Sequence, residues 1–321
     1  MESVPSFPDF NDIPVSTKTL IAMTNINLNL EKLFDFLPVI DIPQSEIKKG
    51  KRRQNDVSPT YKIAAGSIIS IEIEDKRRGL DIKKRKIKKG KKTGKWFRNS
   101  FTVVMSLDDK NINFKICKNG RFQLTGCKSN NHAYQCIKYI WEYIKDNKSI
   151  YSFSRGSNIE VIFIPAMRNI DFNMGFYVDR EKLAHYMSTQ PEFHSLLETS
   201  IGYTGCNIKV PIKIPIVDIY LKRFCYVDDE WSTSKILYNE YLEFLAPKEK
   251  IKKIQKKRYN TFLVFHSGKV IMSGLTGKLM KETYYDFCNI ITKCYPFIKE
   301  TLDVDITTPD AINNIDTPVI F

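Results

Sequence analysis

The residues of this chain best equipped to engage a partner are cationic and polar. Residues 76 to 98 (KRRGLDIKKRKIKKGKKTGKWFR) hold thirteen Lys or Arg against Asp81 alone, a local charge of +12. The whole chain carries +14, which leaves +2 for everything else. Such a block repels itself, has few apolar side chains, and is expected to be a mobile loop. The chemistry it offers is many ammonium and guanidinium contacts to a polyphosphate backbone, with release of condensed counterions. A solubilising or localisation role is the plainer reading of the same block. A second run, Lys248 to Arg258, sets seven cations against Glu249 and reads as a solvated helix face.

Catalytic chemistry is poorly provided for. His132, His185, His194 and His266 show no metal-ligand spacing, and no GxGxxG, P-loop, GxSxG or HExxH motif occurs. A non-enzymatic protein without a cofactor is expected. Seven scattered cysteines form no CxxC pair, which suggests buried free thiols in a reducing compartment. No apolar run approaches the ~20 residues a membrane span needs, and MESVPSFPDFNDIP lacks the features of a signal peptide.

Two distant stretches share a pattern. Residues 118–126 read KNGRFQLTG and residues 266–274 read HSGKVIMSG. Each has a strand end, a tight turn at Gly120 or Gly268, and a returning strand closing on a hydroxyl residue and Gly. Upstream, TNINLNL at Asn25 and RNIDFNM at Asn169 form a second matched pair. One unit written twice predicts a pseudo-two-fold protein, a symmetry that double-helical DNA nearly shares.

The elements that must position these residues follow from periodicity. Strands are expected over 18–26, 66–74, 101–107, 112–117 and 121–125, the last three as an antiparallel meander. Asn29 can cap a short helix through Leu37, and a helix with an apolar stripe runs from about Asn131. The second half repeats the order: a strand over 161–170, an Asp179-capped helix through Met187, a strand over 205–214, a hairpin over 261–273, and a helix from Lys278 to Glu300. The helices are expected on one face of the sheet, leaving the other open. A segment from about 215 to 258 has no counterpart and carries a predicted helix, STSKILYNEYLEFL.

The two hairpins and their following helices resemble the TATA-box-binding protein (TBP) family. HSGKVIMSG, preceded by TFLVF and followed by YYDFCNIITKCYPFIKE, is the strongest match; FTVVMSL and NFKICKNGRFQLTGCKS supply the first copy. The match covers roughly residues 18–40, 99–147, 160–187 and 260–300. The Lys/Asn/Ile-rich style and large insertions look like the TBP-like proteins of large DNA viruses. The resemblance implies an α+β fold: a pseudo-two-fold saddle, with a curved antiparallel sheet, helices on the convex face and large insertions. Its parts would be a flexible N-terminus (1–17), a first repeat (18–150) with the basic block 76–98 as a lengthened stirrup loop, a second repeat (155–302) with the 215–258 insertion, and an acidic tail (303–321).

The resemblance also implies a function, binding of promoter, A·T-rich double-stranded DNA in the minor groove through the concave sheet. Shape and deformability supply much of the specificity there, and apolar wedges kink the duplex, as the family itself exemplifies. Position by position it implies Asn25, Asn169, Thr125 and Ser273 as base contacts. Phe101 and Phe265 would be wedges, and Arg121, Lys128 and Lys269 phosphate contacts. Lys83, Lys84, Arg85, Lys86, Lys88 and Lys89 would add phosphate contacts from the stirrup, with Trp96 or Phe97 as extra wedges. Cys117 falls on a third wedge position, the fourth falls near Ile201 or Tyr203, and Asn27, Asp171 and Gln123 replace groove-facing Val. Protein partners would be a transcription-factor-IIB-like factor or RNA polymerase, and the location the nucleus, or a cytoplasmic viral factory and virion. The polar replacements favour an alternative, an interaction scaffold that has lost groove binding. An enzyme carrying a TBP-like domain is disfavoured because both halves are spent on the duplication.

Overall fold

The computed structural model describes residues 5–41, 63–80, 99–197 and 205–300. In the first half, β1 (Val15–Thr24) and β2 (Ile26–Leu28) lead into α1 (Leu30–Phe36), whose first turn is capped by the Asn29 side chain. Then come β3 (Ile68–Ile73), β4 (Lys76–Gly79), β5 (Ser100–Ser106), β6 (Asn111–Cys117), β7 (Arg121–Cys127) and α2 (Asn130–Ile144). After β8 (Tyr151–Phe153), the second half runs through β9 (Glu160–Asn173), α3 (Arg180–Ser188), β10 (His194–Leu197) and β11 (Gly205–Pro211). An inserted unit follows: β12 (Tyr220–Val227), β13 (Glu230–Leu237), α4 (Tyr238–Leu242) and α5 (Pro247–Gln255). The chain then completes its sheet with β14 (Tyr259–Phe265) and β15 (Lys269–Gly274) before α6 (Gly277–Ile298).

The duplication is visible in the strand order. Read outward from the centre, the first half runs β1-β7-β6-β5-β3 and the second β9-β15-β14-β11-β10, all antiparallel. β1 and β9 pair with each other, and Lys18 faces Arg168 where the pseudo-dyad passes. Backbone hydrogen bonds repeat across it. Thr24 N–H donates to Gly120 O as Met174 N–H does to Gly268 O, and Leu28 to Lys118 as Val178 to His266. Both turn glycines have positive φ, +68° and +76°, and a Cβ there would lie 2.1 Å from Ile26 O or 2.2 Å from Phe176 O. No side chain fits those turns, which is why the two hairpins read alike.

Each half has its own core on the helix side of the sheet. Leu33, Phe34, Ile137 and Ile140 pack on Leu20, Val103, Phe114 and Leu124 in the first, and Leu183, Tyr284, Phe287 and Ile291 pack on Ile170, Phe262, Val264 and Met272 in the second. The chain start belongs to the second core, so the expectation of a flexible N-terminus fails for the described residues 5–17. Phe10 and Ile13 are buried, the Tyr284 hydroxyl donates to Pro8 O at 2.7 Å, and β1 already begins at Val15. Two aromatic or branched side chains in a short polar stretch are enough to dock it. The linker of residues 42–62, the block 81–98 and the tail 301–321 lie outside the described residues.

The inserted unit departs from its predicted helix. Residues 232–237 are strand, paired with β12 from Tyr220↔Leu237 to Val227↔Glu230, and only Tyr238–Leu242 is helical. Asp228 and Asp229 make the two-residue turn with φ of 49° and 61°, the backbone that a right-twisted hairpin demands. β12 also pairs with β9 (Lys222↔Phe163 to Cys225↔Glu160), occupying an edge of β9 that β15 does not reach. An exposed edge is thereby closed. Phe224 and Tyr226 of the hairpin face α2, while Leu221 and Ile236 face the other side of the sheet.

Candidate nucleic-acid interface

Successive strand side chains point to opposite faces, so the residues packed on the helices define those that are not. In the first half, Phe101, Val103 and Met105 of β5, Ile112, Phe114 and Ile116 of β6, and Phe122 and Leu124 of β7 are buried on the helix side. The open face therefore carries Ser100, Thr102 and Val104, then Asn113, Lys115 and Cys117, then Arg121, Gln123 and Thr125. In the second half Phe262, Val264, Val270, Met272 and Ile208 turn inward. That leaves Leu263, Phe265, Ile271, Ser273, Lys269, Asn207 and Lys209 on the open face. The turn glycines align Cys117 with Phe265, Lys115 with Leu263, and Gln123 with Ile271. One half of the open face is polar and the other is apolar with cations at its margins.

Phe265 is half-buried on the open face, where the resemblance placed a wedge. Phe101 is not. It is 1% exposed and meets Phe34 of α1 edge-on with ring centroids 6.5 Å apart. The alternation Phe101-Val103-Met105 against Thr102-Val104-Ser106 already marks it as core, and Ser100 holds the open-face position beside it.

Asn25 is likewise withdrawn as a base contact. It is buried, its amide donates to Arg155 O and Asn158 O at 2.9 Å each, and its Oδ1 accepts from Glu160 N–H at 2.8 Å. It fastens the connection between the halves. Sheet register identifies the true counterpart of Asn169: Ile170 faces Met272 as Leu20 faces Leu124, so Asn169 corresponds to Thr19. Matching the two Asn-Ile pairs was a six-residue slip. Asn169 itself lies on the open face, paired with Thr17 on one side and Ser273 on the other. Its Oδ1, like that of Asn207, is buried and makes no hydrogen bond within the chain. Such an oxygen favours a ligand that brings a donor. Asp171, on the same face, accepts from Ser16 Oγ at 3.0 Å.

Of the remaining predicted contacts, Thr125 lies on the open face with its hydroxyl donating to Asn113 O at 2.9 Å. Ser273 is half-buried between Asn169 and Thr261. Lys269 is exposed at the start of β15, and Lys128 is exposed in the link from β7 to α2. Arg121 is on the open face but is held by Glu249 of α5 at 2.6 Å. Lys83, Lys84, Arg85, Lys86, Lys88, Lys89, Trp96, Phe97, Ile201 and Tyr203 lie outside the described residues. Sequence reading missed Leu263 and Ile271, although the alternation in TFLVF and KVIMS carried the signal, and it missed Leu196, which is 57% exposed on the edge strand β10.

It also missed that the insertion sits on this face. Ile162 and Ile164 of β9, with Ile21 and Met23 of β1, project from the open face and are covered by Tyr238, Tyr241 and Leu242 of α4 and by Leu245. Burying side chains of this size stabilises by roughly 1.5–3 kcal/mol each, so the insertion is a packed part of the molecule. Burial pushes the Tyr241 hydroxyl up to about 12. α5 follows along the rim, joined to the sheet through Glu249 and Arg121. Among the described residues no cluster of His, Cys, Asp and Glu could hold a metal ion, and no helix is long and apolar enough to cross a membrane.

Known proteins resemble the chain in sequence and fold. It is 27% identical over 310 residues to the uncharacterized protein 335L of Invertebrate iridescent virus 6, covering 89% of this chain and 86% of that one. It is 33% identical over 133 residues to a TATA-box-binding protein-like protein of Acanthamoeba polyphaga mimivirus, a match spanning 37% of this chain and 35% of the mimivirus protein. The Methanococcus jannaschii TBP structure aligns with 89% of this chain and 99% of its own at 12% identity and a TM-score of 0.39. No family model matches. The chain is thus similar, over part of its length, to a TBP-like viral protein, and it folds as a pseudo-two-fold antiparallel sheet with helices on one face and added elements.

Proposed function

We propose that this protein is a non-enzymatic TBP-like transcription initiation factor that holds promoter double-stranded DNA against the open face of its sheet. The observation that carries this reading is the second half of that face. Leu263, Phe265 and Ile271 form an apolar stripe opposite the helices, flanked by Lys209 and Lys269 and by the unsatisfied oxygens of Asn169 and Asn207. An apolar strip with marginal cations suits a minor groove, whose floor is read by shape and whose walls are phosphates. Phe265 is the wedge, Asn169 and Ser273 meet base edges, and Lys269 with the basic block 76–98 meets phosphates. A transcription-factor-IIB-like protein or an RNA polymerase would dock elsewhere on the chain, at the site of transcription in a nucleus or viral factory.

A specific observation favours a second reading. On strands β5, β6 and β7 the first half of the open face carries only Val104 and Cys117 as apolar side chains, and the insertion covers Ile21 and Met23 of β1 with Ile162 and Ile164 of β9. Both features suit an interaction scaffold that keeps the fold without gripping a groove.

A bending and binding titration on fluorescent A·T-rich and G·C-rich duplexes, repeated at several salt concentrations, separates the two. Preferential, kinking binding to A·T-rich DNA is the expected result. Sequence-blind binding without a bend would reduce the protein to a polycation on a scaffold, and absence of binding at low salt would favour the second reading.

A further inference from the structure

Eleven residues, Lys248 to Arg258, hold seven cations and one carboxylate, and that carboxylate is already committed to Arg121. Lys250 is paired with Glu243 at 2.6 Å. Among the described residues no carboxylate lies within ion-pair distance of Lys253, Lys256, Lys257 or Arg258; Arg258 donates instead to the Tyr238 hydroxyl at 3.2 Å. These four line a cleft of about 300 Å³ whose apolar side is formed by Ile216 and Leu242. Lys253 is half-buried, as Arg258 is, and burial, then the nearby Arg121, lowers the Lys253 pKa. A group of like charges gathered without counter-charge is costly until an anion joins it. Its place is informative, because α5 is tied to Arg121, which shares the open face with Gln123 and Thr125.

We infer that α5 and residues 256–258 form a side wall of the DNA site and grip the phosphodiester backbone of one strand. This rests on the DNA-binding reading above. The wall starts at Arg121 on the polar half, where that residue was expected to meet a phosphate, and ends at residues 256–258 beside β11 and β14 of the apolar half, where Ile212 N–H donates to Arg258 O at 3.0 Å. The insertion takes that task over, spending Glu249 to anchor itself and presenting four cations in exchange. A duplex is favoured over an acidic protein segment because the cluster adjoins the sheet face that carries the apolar stripe.

The test uses the full chain. Lys253, Lys256, Lys257 and Arg258 are replaced together by Gln, and a control replaces Lys278, Lys281 and Lys293 of the helix-side α6 by Gln. Affinity for one A·T-rich duplex is followed against salt. Each lost phosphate contact should lower the slope of log K against log salt by about 0.9, so the wall variant should lose roughly two to four units and the control none. An unchanged slope in a wall variant that still binds, or an equal loss in the control, overturns the wall and leaves the DNA-binding reading standing. Loss of binding to poly-glutamate with DNA binding intact overturns it in favour of an acidic protein partner. Wild-type protein that binds no duplex at low salt overturns both.

Discussion

Phe101 and Phe265 are the same residue type in equivalent sheets, yet one residue of register separates core from surface. Phe101→Ala removes a fully buried ring and should cost about 3–5 kcal/mol of folding stability. Chemical denaturation would register that loss, while DNA bending by the folded fraction stays unchanged. Phe265→Ala should leave the denaturation midpoint nearly alone and reduce the bend, a contrast that reversed results would refute. The same distinction explains what the sequence could and could not convey. Alternation in SFTVVMS marks Phe101 as core, and TFLVF marks Leu263 and Phe265 as open-face. The role of Asn25 was hidden, because three hydrogen bonds to residues 155–160 depend on how the halves are joined. A local Asn-Ile dipeptide imitated a repeat that the pairing of β1, β7, β9 and β15 places elsewhere.

At the level of elements, the two β-turn glycines are the most exact copies in the molecule. Gly120→Ala and Gly268→Ala each force a left-handed backbone and a close approach to a carbonyl oxygen. Each should destabilise by about 1–3 kcal/mol. The two losses should be similar in thermal unfolding; a silent substitution at either turn would argue against the shared geometry. Turns, caps at Asn29 and Asp179, and the stripes of α2 and α6 were legible because each is a local pattern with a local cause. The inserted hairpin was not. In STSKILYNEYLEFL the apolar spacing suits a helix, and only pairing with β12 turns its first half into strand. The Asp228-Asp229 turn was the one available clue, a weaker signal than Asn-Gly.

Across the whole molecule, charge is partitioned more sharply than structure. Replacing the Lys and Arg of residues 83–92 with Ser should weaken DNA binding across all sequences and flatten its salt dependence. Fluorescence titration at several ionic strengths measures this, and unchanged affinity would remove the basic block from the interface. The duplicated fold was readable because it was written twice. The asymmetry of its open face was not, since it arises from single substitutions on one strand face and from where an insertion comes to rest. That asymmetry has a directional consequence. A saddle with two equal halves could sit on a nearly two-fold duplex in either of two senses, turned end for end. Here Phe265 and Cys117 are unlike, Leu263 and Lys115 are unlike, and α4 fills one flank only. On the DNA-binding reading proposed above, the two senses of docking would differ in energy, and the protein would tell upstream from downstream before any second factor arrives.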